Sequence, residues 1–293
     1  MPAGTLAASA RARGQPYLDR GPRSGMDVRS IFGRSRPVVG MVHLPPLPGS
    51  PRFDGDRAAI RERARRDAVA LVDGGVDGII VENYGDAPFY PDDVPDHVVA
   101  SMTDAVGVVT REVDVPVGVN VLRNDARAAL SVAAATGAAF VRVNVHTGTR
   151  VTDQGVVTGR AHETLRLRDR LDADVDILAD VAVKHSAPLG EPRPLAEQAE
   201  EALGRGLADG LVVSGPGTGE PVDVESLETA ASVAATHGAP LFVGSGVTEA
   251  TVDDLLSVAN GAIVGTALKR GGETTAPVDR DRVASLTGAA RES

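Results

Sequence analysis

Leu241-Phe-Val-Gly-Ser-Gly-Val247 and Gly261-Ala-Ile-Val-Gly-Thr-Ala-Leu-Lys-Arg-Gly-Gly272 decide the fold of this chain. Each piece contains a short apolar run that breaks into glycine, and each break is followed by a helix start, at Thr248-Glu249-Ala250 and Thr266-Ala267-Leu268. Backbone N–H groups at such turns lack intrahelical partners and sit at the positive end of the helix dipole, so they bind phosphate well. Two such turns on consecutive strands make a phosphate cup, with Gly244, Ser245, Gly246, Gly265 and Thr266 as its candidate residues. Lys269 reads equally as extra charge for the cup or as a solvated side chain. Ser214-Gly215 opens a third Gly-rich turn that joins the phosphate-binding set, although a plain turn reads as well there.

Outward from that stretch, apolar runs of four to eight residues alternate with helix-period segments. Eight strands are expected, at Val38–Leu44, Gly78–Asn83, Val117–Leu122, Phe140–Val145, Val175–Val183, Gly210–Ser214, Leu241–Gly244 and Ala262–Gly265. Helices fit between them at Arg57–Asp73, Asp96–Glu112, Asp125–Thr136, His162–Leu171, Leu195–Gly204, Val224–His237 and Glu249–Val258, with a last one at Arg280–Leu286. Eight βα units in about 255 residues is the size of an α/β (βα)8 TIM barrel. The loops agree, because helix-to-strand connections are tight while most strand-to-helix connections are long, as on the active face of an enzyme barrel. The expected organisation is one barrel domain over 26–293, preceded by an Arg-, Gly-, Pro- and Ala-rich leader over 1–25. That leader reads as disordered, or as an over-extended start with Met26 the true beginning.

Strand parity sorts the side chains. In the fourth strand Val141, Val143 and Val145 share a face, leaving Arg142, Asn144 and His146 on the other. In the fifth, Val181 and Val183 oppose Asp180, Ala182 and Lys184. The valines belong under the helices, so the polar set looks into the barrel. Asn120 follows in the third strand, Glu82 and Asn83 end the second, and His43 ends the first.

Lys184 at the mouth suits anion binding, acid–base work or a Schiff base. Asp180 and Glu82 are the carboxylates placed for chemistry, as base, as stabiliser of an oxocarbenium ion, or as ligands for Mg²⁺. Arg142 and Asp180 also read as a bracing buried pair. Asn83, Asn120 and Asn144 suit sugar hydroxyls, with capping of strand-end turns as the plainer reading. His43, His146 and His185 lie at strand ends without helical spacing, which favours substrate contact over a metal site.

Composition narrows the partners. A net charge of −10 and pI near 5.1 argue against nucleic acid. Only 3% of residues are aromatic, none of them Trp, which removes a base-stacking platform. The absence of cysteine excludes disulfides and thiolate catalysis. No apolar run is long enough for a transmembrane helix, so a cytoplasmic protein is expected, as a homo-oligomer binding a phosphorylated small molecule. Of thirty basic residues only Lys184 and Lys269 are lysine, as though a compact amine is wanted at those two places.

Val38-Val-Gly-Met-Val-His-Leu-Pro-Pro-Leu-Pro-Gly-Ser50, Pro116-Val-Gly-Val-Asn-Val-Leu-Arg-Asn124, Phe140-Val-Arg-Val-Asn-Val-His146, Thr152-Asp-Gln-Gly155, Ala179-Asp-Val-Ala-Val-Lys-His185, Gly244-Ser-Gly-Val247 and Val264-Gly-Thr-Ala-Leu-Lys269 together resemble the BtpA family, from about Pro37 to Val283. The resemblance implies a TIM barrel of the ribulose-phosphate-binding type. It also implies either a role like photosystem I biogenesis, which needs no catalysis, or work in nucleotide and pentose-phosphate metabolism. Phosphorolysis of a nucleoside monophosphate would use the cup for the 5′-phosphate, Lys184 and Arg142 for inorganic phosphate, and a carboxylate for charge at the anomeric carbon. A sugar-phosphate isomerase or aldolase using Lys184 is the alternative chemistry.

Overall fold

The computed structural model describes residues 25–215, 217 and 219–291. The expected leader lies outside these residues, apart from Gly25. In chain order the strands are β1 (Val38–His43), β2 (Gly78–Glu82), β3 (Val117–Asn120), β4 (Phe140–Val143), β5 (Thr149–Thr152), β6 (Gly155–Thr158), β7 (Asp176–Val181), β8 (Ala187–Pro188), β9 (Gly210–Val213), β10 (Leu241–Val243) and β11 (Gly261–Val264). The helices are α1 (Val28–Phe32), α2 (Arg57–Asp73), α3 (Asp96–Glu112), α4 (Ala126–Thr136), α5 (Ala161–Arg170), α6 (Leu195–Glu200), α7 (Val224–Thr236), α8 (Val252–Val258) and α9 (Arg280–Ala289). Eight parallel strands close into a barrel in the order β1-β2-β3-β4-β7-β9-β10-β11. These are the eight expected from the sequence, and the molecule is a TIM barrel.

Aspartates start several of the surrounding helices. Asp56, Asp125, Asp223 and Asp279 each accept from first-turn N–H groups, satisfying donors that the helix itself leaves open. The outward valines and isoleucines of the strands pack under these helices in the main core. The inward residues form a second, separate core of Val39, Met41, Ile80, Phe140, Leu178, Val212, Phe242 and Ile263.

Three of the five phenylalanines plug the lower end of the barrel. Phe32 of α1 meets Phe140 edge-on at 5.6 Å and Phe242 at 6.0 Å. Glycines on the neighbouring strands make room for these rings: a Cβ at Gly118 would stand 2.3 Å from Phe140, one at Gly261 2.4 Å from Phe242, and one at Gly78 2.7 Å from Phe32. A chain this poor in aromatics therefore closes its barrel by setting rings against missing side chains.

Two departures from the sequence reading stand out. Helix α1 was not expected, because five residues carry too little periodicity. The long loops after β4 and β7 contribute a small sheet of order β6-β5-β8. Its strands are short and largely open to solvent, so they lack the continuous apolar run that marks a barrel strand. The barrel strands also end one or two residues early, β4 at Val143 and β7 at Val181.

Gly118→Ala places a methyl inside the Phe140 ring. Overpacking of this kind costs about 1–3 kcal/mol, so the urea midpoint should fall; an unchanged midpoint would contradict the ring-against-glycine packing.

Candidate active site

The C-terminal ends of the barrel strands open into a cavity of about 1300 Å³. Strand register sets its polar layer, since β1 places His43 beside Glu82 of β2, and Glu82 beside Asn120 of β3. His43, Glu82, Arg142, Asn144, Lys184 and His185 line the cavity. So do Gly244, Ser245, Gly246, Gly265 and Thr266 from the two glycine turns. The N–H groups of Ser245, Gly246, Val247, Thr266 and Ala267 donate to no atom of the described residues. Gly246 has φ +66 and no room for a Cβ, which would lie 2.3 Å from the Pro221 Cα.

A polar network stands behind this surface. Arg142 grips Asp180 with Nε–Oδ1 and Nη2–Oδ2 contacts of 2.8 Å each, and both side chains are buried. Asn144 donates to the same carboxylate at 3.0 Å, and Asn120 donates to the Asn144 oxygen at 3.2 Å and to the Arg142 carbonyl at 2.9 Å. Paired charges and filled hydrogen-bond sites are what make such groups tolerable inside a barrel.

Lys184 is different. No acceptor among the described residues bonds its amine, and burial, with the neighbouring Arg142, lowers its pKa to about 8 despite Glu82 and Asp180. Glu82 has the opposite shift: burial raises it from its ordinary value against the pull of Arg142 and Lys184. His43 is held well below the ordinary imidazole value by burial, then by Lys269. Lys184 reaches the cavity by a bend and not along a straight strand, because Ala182 at φ +52 and His185 at φ +53 both take left-handed backbone. Arg123 holds that bend by donating to the Lys184 carbonyl at 2.7 Å.

Seven expected site residues lie elsewhere, and each has a physical reason. Asp180 is committed to Arg142 and Asn144, so it positions them and is not free to act as a base. Asn120 lies beneath the cavity, bracing Asn144. Asn83 clamps the end of β3, taking the Leu122 N–H at 2.7 Å and donating to the Leu122 carbonyl at 3.4 Å. His146 follows the early end of β4, so strand alternation no longer governs it; its Nε2 meets the Gly206 carbonyl at 2.8 Å under the small sheet. The Gly215 N–H is already used by the Ser245 hydroxyl at 2.7 Å, which ties the third glycine turn to the cup. Ser214 is buried below, its Oγ against Gly244. Lys269 is neither in the cup nor solvated: its amine is fully buried, 2.8 Å from the Met41 carbonyl and 3.6 Å from Asp67.

The sequence reading missed Arg123, Arg52, Tyr84 and Asp153, all of which line the cavity. Arg123 falls just past the end of β3, where no period points to it, and Tyr84 comes from the loop 84–91, which forms one cavity wall together with Phe89. Among the described residues no three His, Asp or Glu side chains converge for a metal.

Comparison with known proteins agrees with this geometry. The structure of a thiamine phosphate pyrophosphorylase from Pyrococcus furiosus matches with a TM-score of 0.53 at 16% identity, over 88% of this chain and 96% of that one. The N-(5′-phosphoribosyl)anthranilate isomerase of the same organism matches with a TM-score of 0.51 at 12% identity, over 88% and 100%. At such identities the likeness is one of fold. In sequence, the photosystem I biogenesis protein BtpA of Synechocystis is 49% identical over 267 residues, 91% of this chain and 92% of that protein. The family model described as BtpA family matches residues 34–292, a span that holds every barrel strand and every cavity-lining turn, and the chain therefore belongs to the BtpA family.

Proposed function

We propose that this protein is an enzyme acting on a phosphorylated ribosyl compound, by phosphorolysis of a nucleoside monophosphate. The observation that carries the reading is the set of five uncommitted N–H groups at Ser245–Val247 and Thr266–Ala267, facing a cavity that also holds Lys184, Arg142 and Arg123. The N–H groups take the 5′-phosphate, and the cationic wall draws inorganic phosphate. The cavity is larger than the roughly 300–1,000 Å³ usual for small-molecule sites, leaving room for both. The two solved TIM barrels named above carry phosphorylated compounds in their names, which favours the same ligand class here. A purely scaffolding protein gains nothing from a half-buried amine that bonds no acceptor among the described residues beside a buried carboxyl, whereas an active site does.

Titration calorimetry with ribose 5-phosphate, AMP and inorganic phosphate tests the ligand class. Phosphate becomes dianionic above about pH 6, and the Lys184 ammonium is lost as pH rises through about 8. Affinity should therefore peak between those values and fall above the upper one. Lys184→Met should weaken binding by about 10- to 100-fold, matching the roughly 1.5–3 kcal/mol of a charged hydrogen bond, and should abolish the upper limb. Absence of binding by the wild type would reject the reading.

The lowered pKa of the unbonded Lys184 amine favours a second chemistry, a Schiff base with a sugar-phosphate carbonyl. Borohydride reduction in the presence of pentose phosphates decides between the two. A reduced adduct at Lys184, located by peptide mass, would establish the aldolase- or isomerase-like route; phosphorolysis predicts none.

A further inference from the structure

The residues from Lys269 to Val278 form a closed loop whose ends meet as an isolated bridge, with Arg270 N–H donating to Pro277 at 2.9 Å. Asp67 of α2 holds both feet: Oδ1 accepts from the Val278 N–H at 3.0 Å, and Oδ2 faces the Lys269 amine at 3.6 Å. Arg63 completes the anchor, bonding Asp67 at 2.9 Å and the Thr275 carbonyl at 3.0 Å. The Lys269 amine also takes the Met41 carbonyl, two residues before His43 on β1. At the far side of the loop, Thr274 bonds the Thr266 hydroxyl of the cup at 2.8 Å, while its carbonyl lies 3.1 Å from His43 Nδ1.

A carbonyl only accepts, so Nδ1 carries the imidazole proton and Nε2 presents a lone pair. That lone pair faces Glu82 Oε1 at 3.8 Å, a separation of the kind that tightens when substrate binds. The Tyr84 ring lies against the imidazole, tilted by 40° at 4.8 Å. The other charged groups facing this pair are Lys184, Arg142, Arg123, Asp180 and Lys269. Burial shifts the imidazole down and the carboxyl up, the directions that suit an acceptor facing a donor.

We propose that Glu82 is the proton donor of the reaction and that His43, held as an acceptor by the loop from Lys269 to Val278, positions that proton. The proposal rests on the phosphorolysis reading of the same site. An oxygen of hydrogen phosphate forms the new bond to C1′ as the C1′–N bond breaks, its electron pair going to the base nitrogen. The Glu82 proton passes to that nitrogen. The proton on the attacking phosphate, made acidic by esterification, returns to Glu82, so the products are free base and ribose 1,5-bisphosphate. Glu82 is then a catalytic residue, and His43 with the Asp67–Lys269 anchor are positioning residues.

Three readouts on the full-length chain test this. In ¹⁵N-histidine NMR, the His43 resonance, assigned with His43→Gln, should report the Nδ1–H tautomer at neutral pH; an Nε2–H tautomer overturns the proposal. The infrared difference between wild type and Glu82→Gln should show a protonated carboxyl at pH 7, and its absence is equally fatal. Release of base from AMP, GMP, CMP or UMP with inorganic phosphate should fall about 10²- to 10⁴-fold in Glu82→Gln, while calorimetry still registers ribose 5-phosphate. Base release at the wild-type rate by that variant refutes the role of Glu82. Binding without base release by the wild type refutes phosphorolysis instead, and the two spectroscopic signals then judge the shared proton without any substrate.

Discussion

The buried pair of Arg142 and Asp180 is the interaction on which the mouth of this barrel depends. It marks the level where the interior changes from rings and aliphatic chains to polar groups. A guanidinium or carboxylate left alone at that depth would be destabilising by about 3–5 kcal/mol, so each makes the other tolerable. With Asp180 filled by Arg142 and Asn144, and Asn144 braced by Asn120, the network presents Arg142 and Asn144 to the cavity. Beside it, the Glu82 carboxyl and the Lys184 amine make no hydrogen bond within the described residues.

The chain's two lysines show how the same side chain serves both sides of the fold. Each amine is pushed down to about 8, chiefly by burial. Lys184 has no bonded partner among the described residues and faces the cavity. Lys269 is satisfied by a carbonyl and Asp67, and anchors the loop that joins the cup to His43. A guanidinium is too broad for the second position, which is fully buried against Met41. The cup and His43 are thus joined through one loop, with Thr274 touching both.

Much of this was legible in the sequence. Alternation with valine placed Arg142 and Asn144 inside the barrel, and strand ends placed His43 and Glu82 at its mouth. Alternation misled where a strand stopped early. His146 lies three residues beyond the last residue of β4 and turns away, and Lys184 arrives only because two residues adopt left-handed backbone. Of the two readings of the amides, capping is the one that fits Asn83, which clamps Leu122, as Asn124 clamps Val145 in the same two-way manner, replacing ladder bonds where the strands end. Lys269 was misplaced because a residue following a helical turn has no parity to tell cavity from wall. Its partner Asp67, some two hundred positions earlier, has no sequence signal at all.

A crystal structure of the protein with ribose 5-phosphate tests most directly whether the two glycine turns grip a phosphate. The phosphate oxygens should lie within hydrogen-bond distance of the N–H groups of Ser245–Val247 and Thr266–Ala267, with the sugar extending toward Glu82 and Lys184. A phosphate bound elsewhere, with both turns left empty at saturating ligand, would contradict it.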